Sequence, residues 1–270
     1  MPLMELSGND GVCGVKIIAH RGDKAHAPEN TLAAFRKAKE NGATCVEFDV
    51  MLTRDRVAII MHDETLNRTT NGEGRVGECD ADYIAGLDAG SWFGEAFTGE
   101  HVPTLKDAIL LLNELELDAN IEIKPCGDDE ALARDTTRVI IDEVRTLWKG
   151  KNPPLLSSFV YSCLLEAQEA ASDLPRALLM DAWSENAIAL ARDNQCVSIN
   201  LNADVLNAER VKLIKNANFA VYAYTVRNRE VAQALEEMGV DAIFCDDPTL
   251  LALEHQSLEH QSSSSYCAVM

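Results

Sequence analysis

Residues 44–62 read TCVEFDVMLTRDRVAIIMH, and the number of parallel strands this stretch supplies decides the architecture. Two strand-like runs, 44–50 and 57–62, are joined by MLTRDR at 51–56. Six residues cannot hold a crossover helix, so the two runs can be joined only as an antiparallel hairpin. Seven further β-branched runs follow the same style, at 15–20, 119–124, 154–159, 176–180, 196–201, 219–226 and 240–245. Amphipathic helical patterns lie at 31–41, 104–116, 128–148, 161–171, 184–194, 207–217 and 228–238. In the last of these, Val231, Leu235 and Met238 form one apolar stripe with acids opposite.

Strand-then-helix repetition calls for a parallel sheet covered by helices. Nine strands are one too many for an eight-stranded barrel, and the hairpin removes the excess. The expected fold is therefore a TIM (β/α)8 barrel over residues 15–253 with one extra hairpin strand. An open doubly wound sheet is disfavoured, because no Gly-rich phosphate fingerprint follows the first strand and strand spacing stays even to the end. Residues 65–101, rich in Gly, Asn, Asp and Thr, read as an insertion capping one end. Residues 1–14 read as an N-terminal arm and 254–270, with the repeat LEHQSLEHQ and a serine run, as a disordered tail.

The chain carries 24 Lys plus Arg against 44 Asp plus Glu, a formal charge of −20. Nucleic acid and anionic bilayers would be repelled over most of such a surface, whereas a small anion could bind where a metal ion or a few cations reverse the local potential. The eight cysteines show no C-x-x-C spacing and read as reduced core thiols. With no apolar run long enough to span a bilayer and no basic-then-apolar start, a cytoplasmic location is expected, without stable membrane insertion. The terminal Cys267-Ala268-Val269-Met270 fits a prenylation pattern that favours farnesyl, yet no polybasic stretch supports it and one lipid chain alone anchors only marginally.

Charge also stands where burial is expected. Glu47 and Asp49 lie two apart and share a face, with Val46, Phe48 and Val50 on the other. In a barrel the apolar face meets the helices, so both carboxylates point inward. In 119–124, Asn120, Glu122 and Lys124 share a face in the same way. Three inward oxygen donors from two strands suit a hard divalent cation, Mg²⁺ or Ca²⁺, better than zinc. With Arg54-Asp55 as a two-residue turn, Glu47 would lie opposite His62 and Asp49 opposite Ile60; Arg56 stands where glycine would ease the turn. His20 and Arg21 end the first strand at the same mouth, and Lys124 is free to meet an anion. Two imidazoles, a guanidinium, an ammonium and a carboxylate-bound metal suit the cleavage of a phosphate ester. In APENT, Asn30 or Thr31 can cap the helix starting at Leu32.

Singly, each residue has a plainer reading: His20 and His62 as core histidines, Glu47 with Asp49 as an exposed edge, Glu122 with Lys124 as a cross-strand ion pair. It is their joint arrival at one end of consecutive strands that shifts the balance. His26, His101, His255 and His260 have no such company and read as surface or loop residues, and Tyr224 near the mouth is a candidate for substrate contact.

The motifs AHRG, APENTLAAF, VEFDVMLTRD, HDETLNRTTNG, VPTL, NIEIKP, LLSSF and GVDAIFCDDP resemble the glycerophosphodiester phosphodiesterase family, its bacterial cytosolic members in particular. The resemblance implies metal-dependent hydrolysis of glycerophosphodiesters to sn-glycerol 3-phosphate and an alcohol. It implies general acid–base roles for His20 and His62, metal ligation by Glu47, Asp49 and Glu122, and phosphate contacts from Arg21 and Lys124. The chain departs from the family where Trp-Thr-Val-Asn is usual, carrying Tyr224-Thr225-Val226-Arg227. A lysophospholipase D-like activity at the same site, or a metal-dependent binding protein without turnover, are the competing readings. The implied partner is a small-molecule substrate; pairing into a homodimer stays open.

Overall fold

The computed structural model describes residues 15–251. The expected N-terminal arm, the tail, Cys267, His255 and His260 lie outside the described residues. Strands β1 (Lys16–His20), β2 (Cys45–Leu52), β4 (Asp118–Ile123), β5 (Leu155–Ser158), β6 (Arg176–Met180), β7 (Ser198–Asn202), β8 (Ala220–Val226) and β9 (Ala242–Cys245) run parallel, and β1 pairs with both β9 and β2. That double pairing closes an eight-stranded barrel, as the sequence predicts.

Outside it lie α1 (Leu32–Glu40), α3 (Leu105–Leu115), α4 (Glu130–Leu147), α5 (Tyr161–Ala170), α6 (Ala187–Asp193), α7 (Ala208–Asn216) and α8 (Arg229–Glu237). Their N-termini are fixed by side chains of the expected kind. Thr31 accepts from Ala34 N to cap α1, and Thr104 with Asp107 forms a capping box on α3. The alternation in β2 and β4 sends Val46, Phe48, Val50, Ile121 and Ile123 outward into the layer under α1, α3 and α4, where Phe35 and Phe48 meet at 5.3 Å. Burying one such side chain contributes about 2–3 kcal/mol. The inward faces are apolar low in the barrel, with Ile18, Leu155 and Ala242, and polar toward the mouth.

The extra strand β3 (Ala58–Ile60) is antiparallel to β2, with Val50 opposite Ile60 and Leu52 opposite Ala58. This corrects the expected register by one residue. The turn is longer than two residues, because Arg56 occupies the left-handed region at φ 67° and its N–H donates to the Thr53 carbonyl. Asp49 therefore lies beside Met61, whose N–H donates to its carbonyl, and not opposite Ile60; His62 is likewise not opposite Glu47. β1 ends at His20, level with Glu47, and β3 takes up the edge of β2 that β1 leaves bare. Running antiparallel, β3 descends toward the mouth.

The segment after β3 holds α2 (Ala81–Ala85) and two short 3₁₀ turns, Val76–Glu78 and Glu95–Phe97, over a separate apolar cluster of Met51, Ile59, Met61, Leu66, Val76 and Ile84. Among the described residues no helix is long and apolar enough to cross a membrane. The six described cysteines are all free, with Cys45, Cys163, Cys196 and Cys245 buried.

Candidate active site

β2 and β4 are in parallel register with Glu47 beside Asn120 and Asp49 beside Glu122. One carboxylate oxygen from each of Glu47, Asp49 and Glu122 lies within 4.8 Å of the others. Glu47 and Asp49 are 4% and 1% exposed, so these are inward acids and not a solvated edge. Two cations approach from the loops that follow the strands. Lys124 Nζ lies 3.4 Å from Asp49 Oδ1 and 4.0 Å from Glu122 Oε1, and Arg21 Nε lies 3.4 Å from Asp49 Oδ2. The Arg21 backbone N–H donates to Glu47 Oε2 at 3.0 Å.

The charge does not balance evenly. Burial works to raise Asp49, but Lys124, Arg21 and His62 hold it down to about 2. Burial, with Asp49 beside it, pushes Glu122 up to about 8, and burial together with Asp49 and Glu122 drives Glu47 well above the carboxylate range. Three acids in one buried cluster, two of them resisting ionisation, are complementary to a cation. The donor set is all oxygen, which fits a hard divalent ion and excludes a zinc-type Cys/His site.

Each imidazole is held at one nitrogen by a carboxylate. His20 Nδ1 lies 2.7 Å from Asp246 Oδ1, and His62 Nδ1 lies 2.6 Å from Asp63 Oδ1. A carboxylate only accepts, so Nδ1 carries the hydrogen in both rings and Nε2 is left with the lone pair. The His20 Nε2 atom stands 3.9 Å from Glu47 Oε2. Burial foremost, with Lys24 and Arg21, pushes His20 down to about 4 against the opposing Asp246 bond. Burial also lowers His62, with Arg21 and Lys124 adding to it. Both rings line one cavity of about 670 Å³ at the C-terminal mouth, as do Arg21, Glu47, Glu122 and Lys124.

A supporting layer surrounds these groups. Glu29 accepts from Arg21 Nη1 at 2.8 Å and from both terminal nitrogens of Arg68, and Arg68 also donates to Asp63. Asn30, in the left-handed region at φ 57°, donates to Asp49 Oδ2 at 2.9 Å; it is Thr31 that caps α1. Gly22 sits at φ 78°, and a Cβ there would stand 2.7 Å from Ala34 Cβ, so glycine lets the Arg21 turn press against α1. Tyr224 lines the cavity and its hydroxyl donates to Asp181 Oδ1 at 3.1 Å.

The sequence does not mark Glu29, Asp63, Arg68 and Asp246 for the site, and it offers Asn30 only as a helix cap. Asp246 was within reach, since Ala242, Phe244 and Asp246 continue one period of two. Of the remaining histidines, His26 pairs with Asp23 at 2.9 Å and His101 lies 3.1 Å from the Leu87 carbonyl, both outside the cavity lining.

Such a barrel, with acids and imidazoles gathered at its C-terminal rim, defines a hydrolase-type site. The chain matches the glycerophosphoryl diester phosphodiesterase family over residues 20–250 and belongs to it; it is an enzyme of the glycerophosphodiester phosphodiesterase class. It is 35% identical over 240 residues to the glycerophosphodiester phosphodiesterase of Caldanaerobacter subterraneus subsp. tengcongensis, covering 87% of this chain and 95% of that one. An Oleispira antarctica phosphodiesterase, solved with the product sn-glycerol-3-phosphate, superposes with a TM-score of 0.85 at 32% identity, covering 90% of this chain and 96% of that one. The Agrobacterium tumefaciens glycerophosphodiester phosphodiesterase gives 0.70 at 30%, covering 88% and 99%.

Proposed function

We propose that the protein hydrolyses glycerophosphodiesters to sn-glycerol 3-phosphate and an alcohol by acid–base catalysis between His20 and His62, with a divalent cation, Mg²⁺ or Ca²⁺, held by Glu47, Asp49 and Glu122. The observation that carries this reading is the pair of carboxylate-held imidazoles whose Nε2 atoms are left for one cavity beside the buried acids. When bound, the cation would supply positive charge against the phosphoryl oxygens.

Arg21 and Lys124 bind the remaining phosphoryl charge and orient the diester. One imidazole takes a proton from the attacking oxygen, either water or the substrate's own neighbouring hydroxyl. As the phosphorus–oxygen bond to the alcohol breaks, the other imidazole, which enters this step as the imidazolium with a second hydrogen on Nε2, gives that proton to the leaving oxygen and returns to the neutral ring. Asp63 and Asp246 keep the tautomers in place and stabilise whichever ring becomes imidazolium. Where the first step closes a cyclic phosphate, the same rings exchange roles as water reopens it.

The lysophospholipase D reading lacks support from the cavity. Among the described residues only Phe159, Leu179, Tyr224 and Phe244 bring apolar surface to its lining, which offers a long acyl chain little cover. The test is glycerol 3-phosphate release from glycerophosphodiesters. His20→Ala and His62→Ala are each expected to lower kcat by about 10²–10⁴-fold while divalent-ion binding, measured by calorimetry, persists. Full turnover in either variant overturns the assignment.

A further inference from the structure

The geometry points to a charge-selective subsite for the leaving alcohol, built from Arg227 and Lys24 on one flank and Asp181 and Asp204 on the other, which fits an alcohol bearing both a carboxylate and an ammonium group. This inference rests on the phosphodiesterase reading. Arg21, Lys124, the three acids Glu47, Asp49 and Glu122, and both histidines come from β1 to β4 and the loops after them, so phosphate chemistry occupies one half of the mouth. The opposite half is lined from β5 to β8 by Phe159, Asp181, Asp204, Tyr224 and Arg227, and at its border Lys24, from the loop after β1, shares Asp246 with Arg227. An uncharged glycerol arm has no use for three charged side chains, so the alcohol is the arm that lies there.

The two flanks differ in sign. Asp246 takes Arg227 Nε at 3.1 Å and Lys24 Nζ at 3.0 Å, besides His20 at 2.7 Å. One carboxylate between two cations leaves this flank one positive charge in excess. On the neighbouring flank Asp181 accepts from the neutral Tyr224 hydroxyl and, among the described residues, has no cation within ion-pair distance, and Asp204 brings a second carboxylate to the lining. Neither of these acids is within ion-pair distance of Arg227 or Lys24, so the flanks do not cancel each other. A purely cationic alcohol is repelled by the Arg227 flank, and one carrying a second phosphate is repelled by Asp181 and Asp204. An amino-acid alcohol satisfies both.

The experiment compares kcat/KM for glycerophosphoserine, glycerophosphoethanolamine and glycerophosphoglycerol, whose alcohols carry both charges, the ammonium alone and neither. Wild type is expected to favour serine over ethanolamine about tenfold. Arg227→Asn should collapse that ratio to within about twofold, and Asp204→Asn should lower ethanolamine relative to glycerol by about threefold or more. Ratios within one variant cancel any general loss passed through Asp246 to His20. Equal turnover of all three diesters by wild type, or an unchanged serine-to-ethanolamine ratio in Arg227→Asn, overturns the inference and leaves the phosphodiesterase reading standing. No turnover of any diester with Mg²⁺ or Ca²⁺ overturns both.

Discussion

Replacing Glu122 by glutamine should stabilise the metal-free protein, although it removes a candidate metal ligand. In the folded chain burial and Asp49 lift this carboxyl from its ordinary 4.5 to about 8. Between those values the unfolded state has released the proton and the folded state still holds it. Folding therefore binds protons there, and stability falls as pH rises from 4.5 toward 8. At pH 7 the cost to the folded state is about 3 kcal/mol. Glutamine mimics the protonated acid and carries no such cost, so Glu122→Gln in chelator at pH 7 should raise Tm by about 6–12 °C. At pH 5 the two proteins should melt within about 3 °C of each other. Mg²⁺ or Ca²⁺ at a thousand times its Kd should reverse the order, since it adds about 4.1 kcal/mol to wild type alone. Differential scanning calorimetry at pH 5 and 7, with chelator and with cation, reads all four states. A variant less stable than wild type in chelator at pH 7, or one that gains as much from the cation, refutes the argument that the three acids strain the site without an ion.

Asp63→Asn and Asp246→Asn each replace a carboxylate that can only accept by an uncharged amide that can turn its NH₂ toward Nδ1 and select the other tautomer, so both should lower kcat by about 10–100-fold with KM little changed; steady-state kinetics checks this. Glu29 is held down to about 2, since its bonds to Arg68 and Arg21 outweigh burial, and contributes about 3 kcal/mol that is complete above pH 4.5 and lost as pH falls through 2. Urea titrations should show Glu29→Gln costing stability at pH 7 and almost nothing near pH 2. Gly22→Ala combines an unfavourable φ with a contact of 2.8 Å to the Ala34 carbonyl carbon, so it should cost about 1–3 kcal/mol by denaturant titration and displace Arg21 enough to raise KM.

How much of this was legible in the chain follows from the range of each interaction. Strands and helices show because their periods of 2 and 3.6 are written into a dozen residues, and the inward acids follow once β2 and β4 are adjacent. The cluster of Glu47, Asp49 and Glu122 needs no long-range knowledge beyond that adjacency. The hairpin register failed at a single residue, because Arg56 holds a left-handed turn position without the glycine that would have announced it. His62 still reaches the mouth, because β3 descends along the edge of β2 that β1 vacates, and a shift of one residue at the turn does not change that destination. The network of Glu29, Arg68 and Asp63 left no local signal: it joins the loop after β1 to the segment after β3 through long side chains whose reach depends on both backbones at once. The same reasoning explains why Arg227 reads in the sequence as an odd residue and in the fold as a partner of Asp246. Its meaning lies in a carboxylate nineteen positions away on the neighbouring strand's end, which holds Arg227 through one oxygen and His20 through the other.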